Sequence, residues 1–421
     1  MSRLKSIFQG LNNVIWGPNI SLEVIESWSG GFSFSKQCPA ALVQETGGPC
    51  SMLAPLQAFL LKNLWYMCGT FEASEETVEV AFVKALEEIL IQACSNHQLV
   101  TVVSLEDNTE GDATRTANNE IETDIHSFQS RLVIEEIKIP ELNKKLSHCV
   151  RHLKSKFGIL CFLYSVILTR GIEVLQEDMA ESCEPLIEPV HAHGSQALIN
   201  LFITGRAVTN VWNGDVNIEG FILKGIVEQS SIGYLSLMEH LKYLSVGSYL
   251  KSPLNPVWVI SSETHLTVVF SPDKKLVSEE TPCEKAFRIF QSFNPDGDKF
   301  ISSDMLGNVL REIGLESDPN YVALMKTKLD PEGLGVILLP AFMDEYFPKR
   351  TRSVPDKFEI YHWNGLSKSN KDGVVTLKHG IALTTESDLN YKDDLDRLKV
   401  VLRTKWQSIE LLWDSVLPLI D

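Results

Sequence analysis

Gln44-Glu45-Thr46-Gly47-Gly48-Pro49-Cys50, continued by the apolar run at residues 52–61, is the stretch on which the reading of this chain turns. Gly47 and Gly48 admit backbone dihedrals closed to other residues, and Pro49 is pre-set for the first position of a helix, where its missing N–H costs nothing. A helix is therefore predicted to begin near Cys50, burying a face made of Met52, Leu56, Phe59 and Leu60 and leaving Cys50 at its rim. The unpaired N–H groups and the positive end of the macrodipole at such a position favour a thiolate, below the free-thiol pKa of about 8.5. Pro55 predicts an irregular first turn or a kink. Gln44, on the preceding loop, carries an amide that can donate to an oxyanion forming at a carbonyl attacked by the sulfur. The competing reading is a buried structural cysteine at a helix start.

Composition narrows the classes. The 421 residues, 44% of them hydrophobic, suffice for two or three domains or for one catalytic domain with an insertion. A formal net charge of -17 argues against nucleic acid as the main partner, since phosphate binding needs basic stripes, and favours basic or neutral protein surfaces. The first ten residues are polar and basic, and the apolar piece after them is too short for a secretory signal. The longest apolar run, residues 158–168, is about half of the roughly 20 residues a membrane span requires and reads as a core helix, so no membrane partner is expected. The eight cysteines form no C-x-x-C, and several lie in apolar periodic stretches. They read as free thiols of a reducing compartment, nuclear or cytoplasmic. No cofactor is expected. His191 and His193 form an H-x-H, but no third ligand is spaced nearby, so no metal is expected there either.

Along the chain, residues 11–39 carry Trp16, Trp28, Phe32 and Phe34 among glycines and read as short strands or loops. Helices are predicted at 74–94, from Pro140 through 153, at 159–168, at 197–203 and at 235–244, and a strand at 128–139. Residues 106–122 are polar and without an apolar face, an exposed loop. Residues 257–260 and 265–270 are two β-branched, aromatic runs joined by Ser261-Ser-Glu-Thr264, a hairpin.

A thiol nucleophile needs a base, and among ten histidines His265 has the best setting, at the mouth of the second hairpin strand. Base on sheet and nucleophile on helix is the papain-like arrangement, although an isolated strand histidine also reads as an ordinary half-exposed sheet residue. By analogy with Cys-His-Asn sites, Asn364 in Tyr361-His362-Trp363-Asn364 is the candidate to orient His265.

Three groups of residues then resemble the MINDY family of cysteine deubiquitinases: Gln44 to Cys50, the downstream Ala54-Pro55-Leu56-Gln57-Ala58-Phe59-Leu60-Leu61-Lys62, and Ser262-Glu263-Thr264-His265-Leu266-Thr267. Non-catalytic segments agree, among them His193-Gly194-Ser195-Gln196, Asn210-Val211-Trp212 and Glu410-Leu411-Leu412-Trp413. The resemblance implies an isopeptidase acting on ubiquitin and polyubiquitin chains, with a preference for lysine-48 linkages. It makes Cys50 the nucleophile, His265 the general base and acid, and Gln44 the oxyanion donor. Trp28, Phe32 and Phe34 are candidate walls of the narrow groove that ubiquitin's diglycine end demands.

Residues 286–313 have the layout of an EF-hand, with Asn294, Asp296 and Asp298 at the first, third and fifth loop positions. The twelfth position, where calcium needs a bidentate glutamate, is Met305, and Lys299 stands where glycine is usual. Residues 330–341 repeat the layout, with Leu334 fifth and Ala341 twelfth. A paired, degenerate EF-hand-like module is expected, kept for packing or for docking a protein partner. Residues 347–352 hold a small basic cluster that reads as a solvated linker. The fold expected is α+β and papain-like with this inserted helical module. The main part of the catalytic domain is 1–271 with an exposed acidic loop at 105–123, the insertion is 280–348, and strands and a helix at 356–421 complete the catalytic domain. A non-catalytic ubiquitin-binding scaffold of the same fold is the alternative, and Met305 and Ala341 disfavour a calcium-sensing adaptor.

Overall fold

The computed structural model describes the chain except residues 1, 19–20, 95–97, 107–124, 181, 183, 279–280, 295–298, 350–352, 371–372, 385–395 and 421, so the acidic loop and the heart of the first EF-hand-like loop lie outside the described residues. The described part is α+β and falls into two units, Met1–Lys274 with Asp356–Asp421, and Lys275–Pro355.

At the centre of the first unit is the helix Cys50–Cys68. Every residue from Cys50 to Leu64 is buried, so the helix is enclosed on all sides and has no single apolar face. Two of its buried polar side chains, Gln57 and Lys62, find partners, as burial demands, while Ser51 Oγ and Asn63 Nδ2 have none. Gln57 accepts from Leu42 N (2.8 Å) and donates to Ala40 O (2.7 Å), which fastens the approach loop to the helix flank. Lys62 meets Glu88 and lies 3.2 Å from Ser231 Oγ. The helix runs without a break through Pro55 and ends at Gly69, whose φ of 67° closes it. Around it pack the helices Glu75–Ala93 and Gln196–Thr204 and two strands of the main sheet. The helix Gly158–Arg170, buried for almost all its length, packs on Glu75–Ala93. Among the described residues no single helix is long and apolar enough to cross a membrane.

The main sheet has six strands, β1 (Gly233–Ser236), β2 (Val257–Ser261), β3 (Leu266–Phe270), β4 (Lys357–Trp363), β5 (Leu377–Thr384) and β6 (Ile409–Trp413). They lie side by side in chain order. β1 and β2 are parallel and every other pair antiparallel. The β2–β3 hairpin is where the sequence places it. β4 joins β3 with Trp363 opposite Val268 and His362 opposite Val269. Leu266, Val268, Phe270 and Trp363 belong to the core around the helix, so alternation turns Thr267, Val269 and His362 to the other face.

Several expectations are corrected. Residues 11–39 contain the ends of a helix Ser2–Ile15 and all of a helix Leu22–Trp28, capped by Ser21, with only two-residue strands after them. Residues 128–139 are split between a short helix, Ile125–Ser130, and the strand Leu132–Lys138, paired with Leu99–Leu105. Residues 235–244 open as β1, followed by a single helical turn. A short run buried on both sides has no periodicity to separate strand from helix. The end of the chain is a helix, Arg397–Arg403, and then the edge strand β6.

The second unit has its own core, built on Phe290, Ile301, Leu310, Ile337 and Phe342. Its helices Pro282–Ser292, Leu306–Ile313, Pro319–Leu329 and Leu339–Tyr346 form two helix–loop–helix pairs, and the loops meet through Phe300–Ser302 and Val336–Leu338, with Ile301 opposite Ile337. Thr281 and Glu284 form a capping box at its first helix.

His362 sets a pH limit on the first unit. Its ring is 1% exposed, and neither nitrogen has a hydrogen-bond partner. Burial, with Lys378 and His265 near it, pushes its pKa down to about 3. The unfolded chain takes up this proton near pH 6.5 and the folded protein only near 3, so the contribution to stability is complete above 6.5 and is lost as pH falls between those values. Chemical denaturation should show a fall from this residue of about 1.4 kcal/mol per pH unit below pH 6.5, or about 2 kcal/mol between pH 7 and pH 5. His362→Phe should remove that part of the slope, and an unchanged slope would refute the assignment.

Candidate active site

The approach to Cys50 is fixed by packing. Gly48 has a φ of 120°, and a Cβ there would lie 2.9 Å from Trp28 Nε1 and 3.2 Å from Ala192 O. Pro49 caps the helix, and Cys50 is its first residue. The thiol is 5% exposed and donates to Gly48 O at 3.9 Å. Burial pushes its pKa up to about 11, while the N–H groups of Leu266, Ser51 and Cys50 itself pull it down. Burial therefore opposes the thiolate expected from the helix terminus.

The Leu266 N–H beside the sulfur is the first peptide of β3, and the residue before it is His265. A tight turn places the histidine. Ser262 N donates to His265 O (3.0 Å), and His265 N donates to Ser262 Oγ (3.1 Å). Ser262 is a positioning residue that sequence reasoning passed over, although its hydroxyl and turn location were visible. The His265 ring is 5% exposed, and its Nε2 lies 3.0 Å from Asn364 Oδ1.

Asn364 follows the last residue of β4 and is 3% exposed. Its Oδ1 also accepts from Leu366 N (3.0 Å), its Nδ2 donates to Leu419 O (2.9 Å), and its own carbonyl accepts from Asn370 Nδ2 (2.8 Å). The amide orientation follows from these partners. An N–H of Leu366 can meet only the oxygen, and a carbonyl of Leu419 only the nitrogen. Asn364 Oδ1 therefore faces His265, which puts the neutral imidazole proton on Nε2 and leaves the Nδ1 lone pair for another group.

Gln44 is stitched to the same place. Its N–H donates to Gly365 O (2.8 Å), it bridges Leu366, and Trp363 Nε1 donates to Leu42 O (2.9 Å). The side chain is 3% exposed and donates from Nε2 to Thr46 O at 2.8 Å, which leaves the second amide hydrogen uncommitted by that bond. Cys50 and Gln44, His265, and Asn364, drawn from three distant parts of the chain, thus converge on one end of the β3–β4 pair.

Other sequence candidates are placed elsewhere. Trp28 and Phe32 are core residues and no groove wall: Trp28 donates to Ala192 O, and Phe32 meets Phe82 and Phe162 edge-on. Phe34, half-buried, packs edge-on against Phe82. His191 and His193 stack at 6.0 Å, His191 beside Glu188, and among the described residues no group of three or more ligating side chains gathers to hold a metal.

With this geometry in hand, comparison with known proteins is direct. Residues 13–292 match the family model described as deubiquitinating enzyme MINDY-3/4, conserved domain. Ubiquitin carboxyl-terminal hydrolase MINDY-3 of Homo sapiens is 41% identical over 98% of each chain. The MINDY-3 homolog of Drosophila melanogaster is 38% identical over 97% of this chain and 82% of its own. The probable ubiquitin carboxyl-terminal hydrolase MINDY-4 of Xenopus tropicalis is 31% identical over 71% of this chain and 40% of its own. No solved structure matches. On the family model and the near full-length relatives alike, the chain belongs to the MINDY-3/4 family and is MINDY-3-like.

Proposed function

We propose that this chain, a hydrolase of the cysteine deubiquitinase class by its family, removes lysine-48-linked ubiquitin by a Cys-His thioester mechanism on a papain-like arrangement of helix and sheet. The observation that carries the reading is the His265 Nε2–Asn364 Oδ1 contact of 3.0 Å at the start of β3, the strand that packs on the Cys50 helix. Proton transfer from Cys50 to His265 Nδ1 accompanies attack, because burial favours the thiol at rest. The sulfur adds to the carbonyl of ubiquitin's C-terminal glycine. Gln44, turning its free amide hydrogen to the oxyanion, and the Cys50 N–H stabilise the tetrahedral intermediate. The imidazolium then protonates the lysine amine as the C–N bond breaks, and water, deprotonated by His265, hydrolyses the thioester. Asn364 orients the ring throughout.

Residues 1–271 and 356–421 make up the catalytic domain in this reading, and 280–348 is the degenerate EF-hand-like module, a docking place for a protein partner. Its second loop supports the degenerate reading, since the Asp330 carboxylate accepts from Leu334 N and Gly335 N and so serves the backbone. Asp296 and Asp298 of the first loop lie outside the described residues. The working compartment is the nucleus or cytoplasm, and neither nucleic acid nor membrane is a partner.

Lysine-48-linked tetra-ubiquitin, incubated with the wild type under reducing conditions, should be cleaved, and Cys50→Ala should abolish cleavage. His265→Ala should cost roughly 10²- to 10⁴-fold in kcat, and Gln44→Ala roughly 10²- to 10³-fold. Chains of every linkage left intact by the wild type would favour the ubiquitin-binding scaffold. Micromolar calcium should leave the melting temperature unchanged, and a rise would overturn the degenerate reading of the module.

A further inference from the structure

We infer that residues 418–420 are a positioning element of the reaction, acting through the Leu419 carbonyl on Asn364 and through Asn364 on His265; the inference rests on the reading of Cys50 and His265 as nucleophile and base. A side-chain amide has two ends of nearly the same shape and opposite hydrogen-bonding sense. Two contacts hold the oxygen end of Asn364, from Leu366 N and His265 Nε2, and Leu419 O holds the nitrogen end at 2.9 Å. With the strap in place, turning the amide over would set Nδ2 against the Leu366 N–H and Oδ1 against the Leu419 carbonyl. Without it, only one of those penalties remains, and the amide can present Nδ2 to His265. The ring would then carry its proton on Nδ1, the atom that has to receive the proton of Cys50.

The strap is built to hold this carbonyl in place. Beyond β6, Asp414 N donates to His379 O (3.1 Å), and the Asp414 carboxylate meets His379 Nδ1 at 2.5 Å, which fixes where the segment departs. Pro418 and Ile420 turn inward and are buried, Ile420 to 2% exposure, while Leu417 and Leu419 turn outward at 45% and 55%. That alternation is the signature of an extended segment lying on a surface. Proline at 418 also brings no N–H that burial would leave unpaired. The contact to Asn364 is made by the main chain, so no side chain at position 419 encodes it.

The test is a double-mutant cycle between a chain ending at Leu417 and Asn364→Ala, with Ile420→Asp in the full-length chain as the second way of lifting the strap. On a fluorogenic ubiquitin conjugate, removal of the strap should lower kcat roughly 10- to 100-fold, the range for loss of an orienting partner, with KM within about twofold. In the Asn364→Ala background the same removal should cost less than about twofold. Equal losses in both backgrounds, or no loss in the wild-type background, would overturn the inference. Nitrogen NMR of the His265 ring gives a readout independent of activity: the wild type should show the Nε2–H tautomer, and strap removal should shift it towards Nδ1–H. An unshifted tautomer would overturn the inference even if ubiquitin cleavage is established, and a shifted one would sustain the positioning even if the wild type cleaves no ubiquitin substrate.

Discussion

The first unit is built around the packing of β2 and β3 on the buried helix Cys50–Cys68, which sets the first residue of the helix by the first residues of β3. A helix terminus needs partners for its free N–H groups, and a strand start has groups of its own to place. Bringing the two ends together in a site this closed sets both reacting side chains by backbone geometry, before either makes a side-chain bond. The cost is that the helix must be surrounded. Gln57 and Lys62 show how that is met, the first paired with a loop and the second with a neighbouring helix.

The same enclosure decides the charge state of Cys50. A helix macrodipole contributes up to about 1 kcal/mol, or about 2 in favourable buried geometry, whereas a thiol pushed from 9.0 up to about 11 reflects on the order of 3 kcal/mol against the anion. Burial wins at rest. The dipole and the Leu266 N–H then matter for the step in which charge appears, because they are already oriented when the proton leaves.

How much of this was legible in the sequence follows from how local each signal is. The Gly-Gly-Pro-Cys start, the β2–β3 hairpin and the amphipathic helices are written in neighbouring residues. Gln44, Cys50, His265 and Asn364 were reached by residue chemistry and resemblance, and the structure brings them to one end of a strand pair. Signals that depend on partners far along the chain were not visible. β1 reads as helix because burial on both sides erases period two, and Leu22–Trp28 was hidden by the aromatic and glycine residues around it. Trp28 and Phe32 look like a groove from composition alone, but the core claims them. Ser262 and Leu419 act through backbone turns and a carbonyl, which no residue type announces.

Two buried histidines of the β3–β4 region stand in different conditions. His265 is held by Asn364, while His362, opposite Val269 on β4, has no hydrogen-bond partner and is kept neutral by burial. A positive His362 would raise the cost of an imidazolium at His265, because like charges in a buried setting oppose each other. Holding His362 neutral at all but strongly acidic pH therefore removes a competing charge from beside the base. The stability sacrificed in burying an unpaired imidazole thus excludes a charge that, in the proposed mechanism, would oppose the proton transfer from Cys50.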